Sequence, residues 1–246
     1  MCERGTGEGV PIIYEDAWLI AVDKPAGLLV HGDGSGAATL ADLVRARLER
    51  AGQPEAAAQL QPVQRLDVDT TGIVLLSKDK AVQPRLDALV AAHGTAGMRK
   101  RYLVVVRGAW PEPVTLVDAA ISRDRHDARR MRAGVTGKPA RTKVRLLALG
   151  GPRTRRLSLL LVELETGRRH QIRVHLASRG APILGDALYG VPADRRGAGP
   201  LMLHALAEDF DHPVTGERLA LRAAVPERFS ALFPEAERLA ADALAR

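Results

Sequence analysis

Apolar positions in this chain gather into short runs bounded by turn residues, and most of the runs read as strands. They are "WLIAVDKP" (18–25), "IVLLSK" (73–78), "KRYLVVVRG" (100–108), "ARTKVRLLALG" (140–150), "RRLSLLLVELETG" (155–167) and "PLMLHALAEDF" (200–210). "VPIIYED" (10–16) predicts one more strand, joined to the next by a tight turn at Glu15-Asp16. Helical spacing marks "TLADLVRARLERAG" (39–52), with Thr39 as N-cap and Gly52 as stop. "DKAVQPRLDALVAAHG" (79–94) sets Leu86, Leu89 and Val90 on one helical face and ends at Gly94. "HQIRVHLASRG" (170–180) predicts a helix closed by Gly180, and residues 226–246 a C-terminal helix broken or kinked at Pro234. "GQPEAAAQLQP" (52–62) reads as a linker. Several strands follow one another without an intervening helix, which favours an α+β fold with a largely antiparallel sheet over a doubly wound one. No repeat or long low-complexity linker divides the chain, so a flexible tail at 1–9 and one unit at 10–246 are expected.

Composition narrows the class. The 246 residues are 46% hydrophobic, which fits a soluble globular protein rather than a disordered one. No apolar run approaches membrane-spanning length, and "MCERGTGEGV" lacks the apolar centre of a secretory signal. The single cysteine, Cys2, allows no disulfide framework and no cysteine zinc site within one chain. The cytosol is the expected compartment. The formal net charge of +7 suggests a polyanionic partner, with nucleic acid the commonest. An arginine- and alanine-rich compositional bias would give the same charge, so charge alone leaves the partner open.

The obvious motifs fail on spacing. "RLDVDTTG" (65–72) imitates a calcium loop, but the twelfth position counted from Asp67 is Lys78 rather than a bidentate glutamate. "HGDGSGAATL" (31–40) imitates a dinucleotide fingerprint without the strand before it or the acidic strand end after it. It reads better as a glycine-rich loop before a helix. His170 and His175 are five apart, about 140° around a helix, and do not make a zinc pair. No G-x-S-x-G elbow supports a hydrolase serine. Three features remain: Asp67 between Arg65 and a strand, Tyr102 at a strand start, and the donor-dense turn "ETGRRHQIR" (165–173). Singly, each has a structural explanation: a turn cap, a core aromatic, solvated arginines.

Together, these segments resemble the RluA-type pseudouridine synthases, which convert uridine to pseudouridine in structured RNA. The resemblance runs through "YEDAWLIAVDKPAGLLVH" (14–31), "PVQRLDVDTTGIVLLSKD" (62–79), "KRYLVVVRG" (100–108), "GKPARTKVRLL" (137–147), "LVELETGRRHQIRVHLASRGAPILGDALYG" (161–190) and "LMLHALAEDFDHPVTGERL" (201–219), in order. It implies a mixed, mainly antiparallel sheet with flanking helices and a central RNA-binding cleft. It implies Asp67 as the catalytic aspartate, Tyr102 as the tyrosine that packs on the target base, and Arg173 as partner of the aspartate. Arg65 matches an arginine implicated in RNA contact when the base is flipped. Lys100, Arg168, His170 and Gln171, beside these residues, are the further expected RNA contacts. Gln64 stands where the family usually has histidine, and Thr71 where it usually has serine. The small N-terminal RNA-binding module of many relatives is expected to be absent, the catalytic segment beginning by about Val10.

The implied reaction breaks the bond between uracil N1 and the ribose, turns the base, and rejoins it through C5. Nothing is added and no net redox change occurs, so neither cofactor nor metal is expected. A carboxylate serves as nucleophile or base, an arginine keeps it charged and directed, and a flipped base gains stability on an aromatic face. The expected partner is ribosomal or transfer RNA, the expected state a monomer. Basic stretches at 123–132, 138–145 and 153–156 are candidates for phosphate contacts. The rival class is a non-catalytic RNA-binding or assembly protein on the same fold, with Gln64 as the mark of lost activity.

Overall fold

The computed structural model describes residues 10–32, 34, 36–92, 97–111, 113–195 and 199–245. The expected tail at 1–9 and the helix stop at Gly94 lie outside those residues. In chain order the elements begin with β1 (Ile12–Glu15), β2 (Leu19–Lys24), α1 (Leu40–Arg50), α2 (Pro54–Gln59), β3 (Gln61–Pro62), β4 (Thr71–Ser77) and α3 (Gln83–Ala91). There follow β5 (Arg99–Arg107), β6 (Leu116–Asp118), β7 (Ala120–Arg123), β8 (Met131–Gly134), β9 (Arg141–Gly150) and β10 (Leu157–Leu164). The chain closes with α4 (Gln171–Ser178), α5 (Pro192–Arg195), β11 (Leu203–Asp211), β12 (Arg218–Arg222), α6 (Glu227–Ser230) and α7 (Ala236–Leu244). Ten strands form one sheet in the order β1-β2-β4-β11-β5-β10-β9-β6, with β3 added to β4 and β12 to β11, while β7 and β8 form a separate ribbon. Every pairing is antiparallel except β4 with β11. The fold is therefore α+β with a mixed, mainly antiparallel sheet.

The unbroken apolar runs of β2 and β4 follow from burial on both faces. Leu19, Ala21, Ile73 and Leu75 pack with Val82 and Leu86 beneath α3 and with Leu221 of β12. Their alternates Ile20, Val22, Val74 and Leu76 pack with Leu40, Val44 and Leu48 of α1 and Ala57 of α2. The larger core lies on β5, β10 and β11 and takes in Ile172 and Leu176 of α4 together with Phe229, Phe233 and Ala240 of the C-terminal segment.

Local signals set several helix ends. Thr39 and Asp42 make a reciprocal capping box at α1, and Gly52 leaves that helix with φ +74°. Pro234 falls between α6 and α7, as the chain pattern predicts. The segment at 52–62 is not a plain linker. Pro54 takes the first helical turn, three alanines follow, and Ala57 is buried, so α2 forms. β3, β6, β7, β8 and β12 were not expected. They are two to five residues long, and β12 alone carries a five-residue alternation of exposed and more buried residues.

One glycine fixes how the sheet comes together at the parallel pair of β4 and β11. β4 and β11 pair only through Thr71–His204 and Gly72–Ala205. Gly72 has φ +107°, and a Cβ there would lie 2.2 Å from the Ala205 carbonyl oxygen. Gly72→Ala is expected to cost roughly 3 kcal/mol or more, read as a lower urea midpoint. An unchanged midpoint would contradict this account of the close approach.

Candidate active site

The segment between β3 and β4 makes a tight turn, closed by the Thr70 N–H on the Asp67 carbonyl at 3.0 Å. Lys24, at the end of β2, holds that turn from beneath. Its side chain is fully buried, and its ammonium donates to the carbonyls of Pro25 (2.9 Å), Leu28 (2.8 Å) and Val68 (2.9 Å). All three of its protons are thereby satisfied. Burial pushes Lys24 down to about 8, against the attraction of Asp69 and Asp67. The "KPAGLLVH" bend and the turn bearing Asp67 are thus clamped together by one cation.

Arg173 arrives from the first turn of α4. Its Nη1 donates to Asp67 Oδ2 at 2.7 Å, and its Nε and Nη2 donate to the two oxygens of Asp186 at 2.8 Å each. Asp186 is fully buried and also accepts the backbone N–H groups of Leu188 and Tyr189. This bidentate pair locks the guanidinium plane, so the Nη1 N–H that reaches Asp67 has a fixed direction. Burial would raise the Asp186 carboxyl, but the bonds and charge of Arg173 outweigh it and hold it low. The Asp67 side chain keeps 26% of its exposure, enough to meet a substrate.

Tyr102, on β5, lines the same cleft with 6% of its surface exposed, and its hydroxyl makes no hydrogen bond among the described residues. Burial, reinforced by the negative charge of Glu208 and Asp67, raises its phenol far above the ordinary range. Tyr102 is therefore neutral at physiological pH and offers a ring face and a hydroxyl, not a phenolate. The cleft has a volume of about 710 Å³, within the roughly 300–1,000 Å³ usual for small-molecule sites.

Gln64, in the place of the family's usual histidine, donates to the buried Glu208. Burial raises Glu208 to about 7, against Lys100 and the Gln64 bond. A carboxyl raised on folding contributes stability that is full below its unfolded value and lost as pH rises through the folded one. Stability measured between pH 5 and pH 8 should therefore fall with pH in the wild type, by at most about 3 kcal/mol from this group, and less in Glu208→Gln. Parallel pH profiles for the two proteins would contradict that assignment.

The remaining expected contacts occupy different situations. Arg65 is exposed on the cleft wall and has no ion pair or hydrogen bond among the described residues. Lys100 is half-buried at the cleft, its ammonium pushed down by burial against the attraction of Glu208. Arg168 donates to the Pro139 carbonyl at 3.1 Å. Gln171 is 3% exposed and its amide is committed: it accepts from Thr166 and the Arg168 N–H, and donates to Thr142 and the Arg141 carbonyl. His170 faces Asp67, its Nε2 3.8 Å from Oδ1. His175 lies elsewhere, a core histidine bonded to Thr142 and the Ala119 carbonyl.

Sequence reasoning did not single out Asp186, Lys24, Tyr189 or Glu208. The only trace of the first was an acid between glycines in "ILGDALYG", which reads as a turn. The basic stretches also separate. The β7–β8 ribbon joins the site, with Arg169 donating to the Arg129 carbonyl and Arg130 stacked 5.2 Å from the Tyr189 ring centroid. Arg141 and Lys143 are paired with Asp118, Glu163 and Glu165. Residues 153–156 precede β10 at the end away from the cleft, roughly 24 Å of strand from Leu164. Among the described residues, no group of three or more His, Cys, Asp or Glu side chains could hold a metal ion, and no helix is long and apolar enough to cross a membrane.

Comparison with known proteins identifies the family. The ribosomal large subunit pseudouridine synthase D of Xanthomonas campestris pv. campestris is 38% identical over 235 residues, 90% of this chain and 68% of that protein. The ribosomal large subunit pseudouridine synthase C of Escherichia coli is 37% identical over 225 residues, 88% of this chain and 66% of that protein. The chain thus spans about two thirds of the length of these relatives. Among solved structures, human RNA pseudouridylate synthase domain containing 1 superposes with a TM-score of 0.72 at 25% identity, over 92% of this chain and 87% of that one. The profile described as RNA pseudouridylate synthase matches residues 18–178, and with these relatives it places the chain in the RNA pseudouridylate synthase family.

Proposed function

We propose that this chain isomerises uridine to pseudouridine in structured cytoplasmic RNA, with Asp67 as the catalytic residue. Ribosomal RNA is the first substrate class, in keeping with the names of its relatives, and transfer RNA the second. Residues 10–246 act as one catalytic unit and as a monomer. The observation that carries the reading is the Asp67 carboxylate, held at 2.7 Å by an arginine that a buried aspartate locks in place, inside a cleft lined by Tyr102.

The chemistry follows from these parts. The N1–C1′ bond breaks with its electron pair going to the uracil, the uracil turns, and a C5–C1′ bond forms; C5 gives up its hydrogen as a proton and N1 takes one up. Atoms and electrons balance, so neither oxidant nor reductant is required. Asp67 supplies an ionised oxygen as nucleophile or base, and Arg173 keeps it charged and aimed. A uridine drawn from its stack packs on the Tyr102 ring. The free Tyr102 hydroxyl is placed to hydrogen-bond the base but, being neutral, does not act as a phenolate. Arg65, Lys100, Arg168 and His170 line the cleft, and the β7–β8 ribbon with its exposed arginines joins it through Arg169. Gln171 serves the RNA through the loop it braces.

Loss of the C5 proton supplies the assay. Ribosomal RNA carrying tritium at uridine C5 is expected to release it to solvent on incubation with the purified protein, one tritium per pseudouridine. RNA binding without release from ribosomal or transfer RNA would overturn the reading in favour of a non-catalytic RNA-binding protein.

A further inference from the structure

His170 stands beside Asp67 with no step of its own in that isomerisation. It is the only non-glycine residue with positive φ among the described residues, at φ +55° and ψ +21°. That conformation is disfavoured for any residue with a Cβ, and its persistence in a site calls for a reason. The N-cap position of α4 does not give one, because the His170 side chain caps no helix N–H. The backbone reversal instead turns the ring toward Asp67, with the side chain only 9% exposed.

The ring's hydrogen bonds favour one tautomer. The Met131 N–H donates to the Tyr189 hydroxyl oxygen at 2.7 Å, and that hydroxyl lies 2.8 Å from His170 Nδ1. Among the described residues Nδ1 is the one acceptor within reach of the hydroxyl proton, and donation to it leaves the ring hydrogen on Nε2. Nε2 in turn lies 3.8 Å from Asp67 Oδ1, the carboxylate oxygen that Arg173 does not hold. That gap is close to 1 Å too long for a hydrogen bond, about 3 Å being usual, and catalytic bonds often tighten only when substrate enters. Burial lowers the ring's proton affinity, with Arg173 and Arg169 acting the same way against Asp67 and Asp186, so neutral imidazole is the form present.

We propose that His170 is a positioning residue for Asp67. As the Nε2–H tautomer set by Tyr189, it closes on Oδ1 when RNA binds and fixes the carboxylate from the side opposite Arg173. The chain Met131–Tyr189–His170–Asp67 ties the arginine-rich β7–β8 ribbon to the reacting group. RNA seated on Arg125, Arg129 and Arg132 then bears on the aspartate through one run of hydrogen bonds. The inference rests on Asp67 being the catalytic residue, and it differs from a role for His170 as a direct RNA donor.

Two measurements test it. The first needs no activity: nitrogen-15 NMR of ring-labelled histidine, with the His170 signals assigned by their loss in His170→Gln. The Nε2–H tautomer is expected near pH 7, with a shift toward a tautomer mixture in Tyr189→Phe. An Nδ1–H tautomer in the wild type would overturn the proposal. The second is steady-state kinetics on tritiated ribosomal RNA. His170→Ala and Tyr189→Phe are expected to lower kcat by about 10- to 100-fold with KM nearly unchanged. His170→Gln, which keeps an N–H at the Nε2 position, is expected to recover most of that loss. A rise in KM with kcat preserved, or a glutamine variant as poor as alanine, would overturn it. A wild-type protein inactive on every RNA would instead defeat the reading of Asp67, with the NMR result still deciding the tautomer.

Discussion

Asp67→Asn will leave the protein folded and lower kcat by at least about a thousandfold. Asparagine keeps the shape of the side chain and an oxygen that can accept from Arg173, so only the charge and its nucleophilic oxygen are lost. Arg173 is not stranded by the change, because Asp186 still holds it through two bonds. The Asp67 side chain is 26% exposed, and stability should move by no more than about 1 kcal/mol. The companion variant Asp69→Asn sets the scale. Asp69 is exposed and makes no side-chain bond among the described residues, so its rate should stay within about twofold of wild type. Tritium release, with urea midpoints measured alongside, separates the two. Wild-type activity in Asp67→Asn, or equal losses in both variants, would sink the assignment.

That two aspartates two positions apart differ so much could not be read from their neighbourhood. "RLDVDTTG" has no local feature that favours one over the other, and the calcium pattern treats them alike. The partner that distinguishes them, Arg173, lies 106 residues away in sequence. Only the family resemblance joined the two segments before the structure did. The long strands were legible because their apolar runs are dictated by their own burial on one or both faces of the sheet. The short strands were not, because a strand such as β8, "MRAG", is defined by its partner rather than by its own pattern. The helix α2 was hidden for a related reason: glycine and proline at its start also mark linkers, and the burial of Ala57 decides between them. Buried charges were the least legible of all. Lys24 and Asp186 sit in stretches that read as turns, and each becomes important only through bonds the fold creates.

Asp186 shows how much depends on such a residue. Asp186→Ala is expected to cost about 3–5 kcal/mol at pH 7, since it leaves the Arg173 guanidinium buried with two of its donors unpaired. Two backbone N–H groups, of Leu188 and Tyr189, lose their acceptor as well. The pH dependence has a definite sign. The folded Asp186 carboxyl lies below its ordinary value of 3.8: burial pushes it up, and Arg173 with the two N–H groups more than offsets this. A carboxyl depressed on folding contributes stability above its unfolded value and loses it as pH falls through the folded one. The gap in stability between wild type and Asp186→Asn should therefore narrow as pH drops below about 4, and urea unfolding at pH 7 and pH 3.5 measures it. A gap that stays constant or widens on acidification would contradict an ionised Asp186. Function should follow the same bond. Without Asp186 the Arg173 guanidinium can rotate, its Nη1 no longer has a single direction, and Asp67 loses its aim although no group that touches the RNA has been removed. Asp67→Asn should thus give a stable, inactive protein, whereas Asp186→Ala should lose stability and rate together.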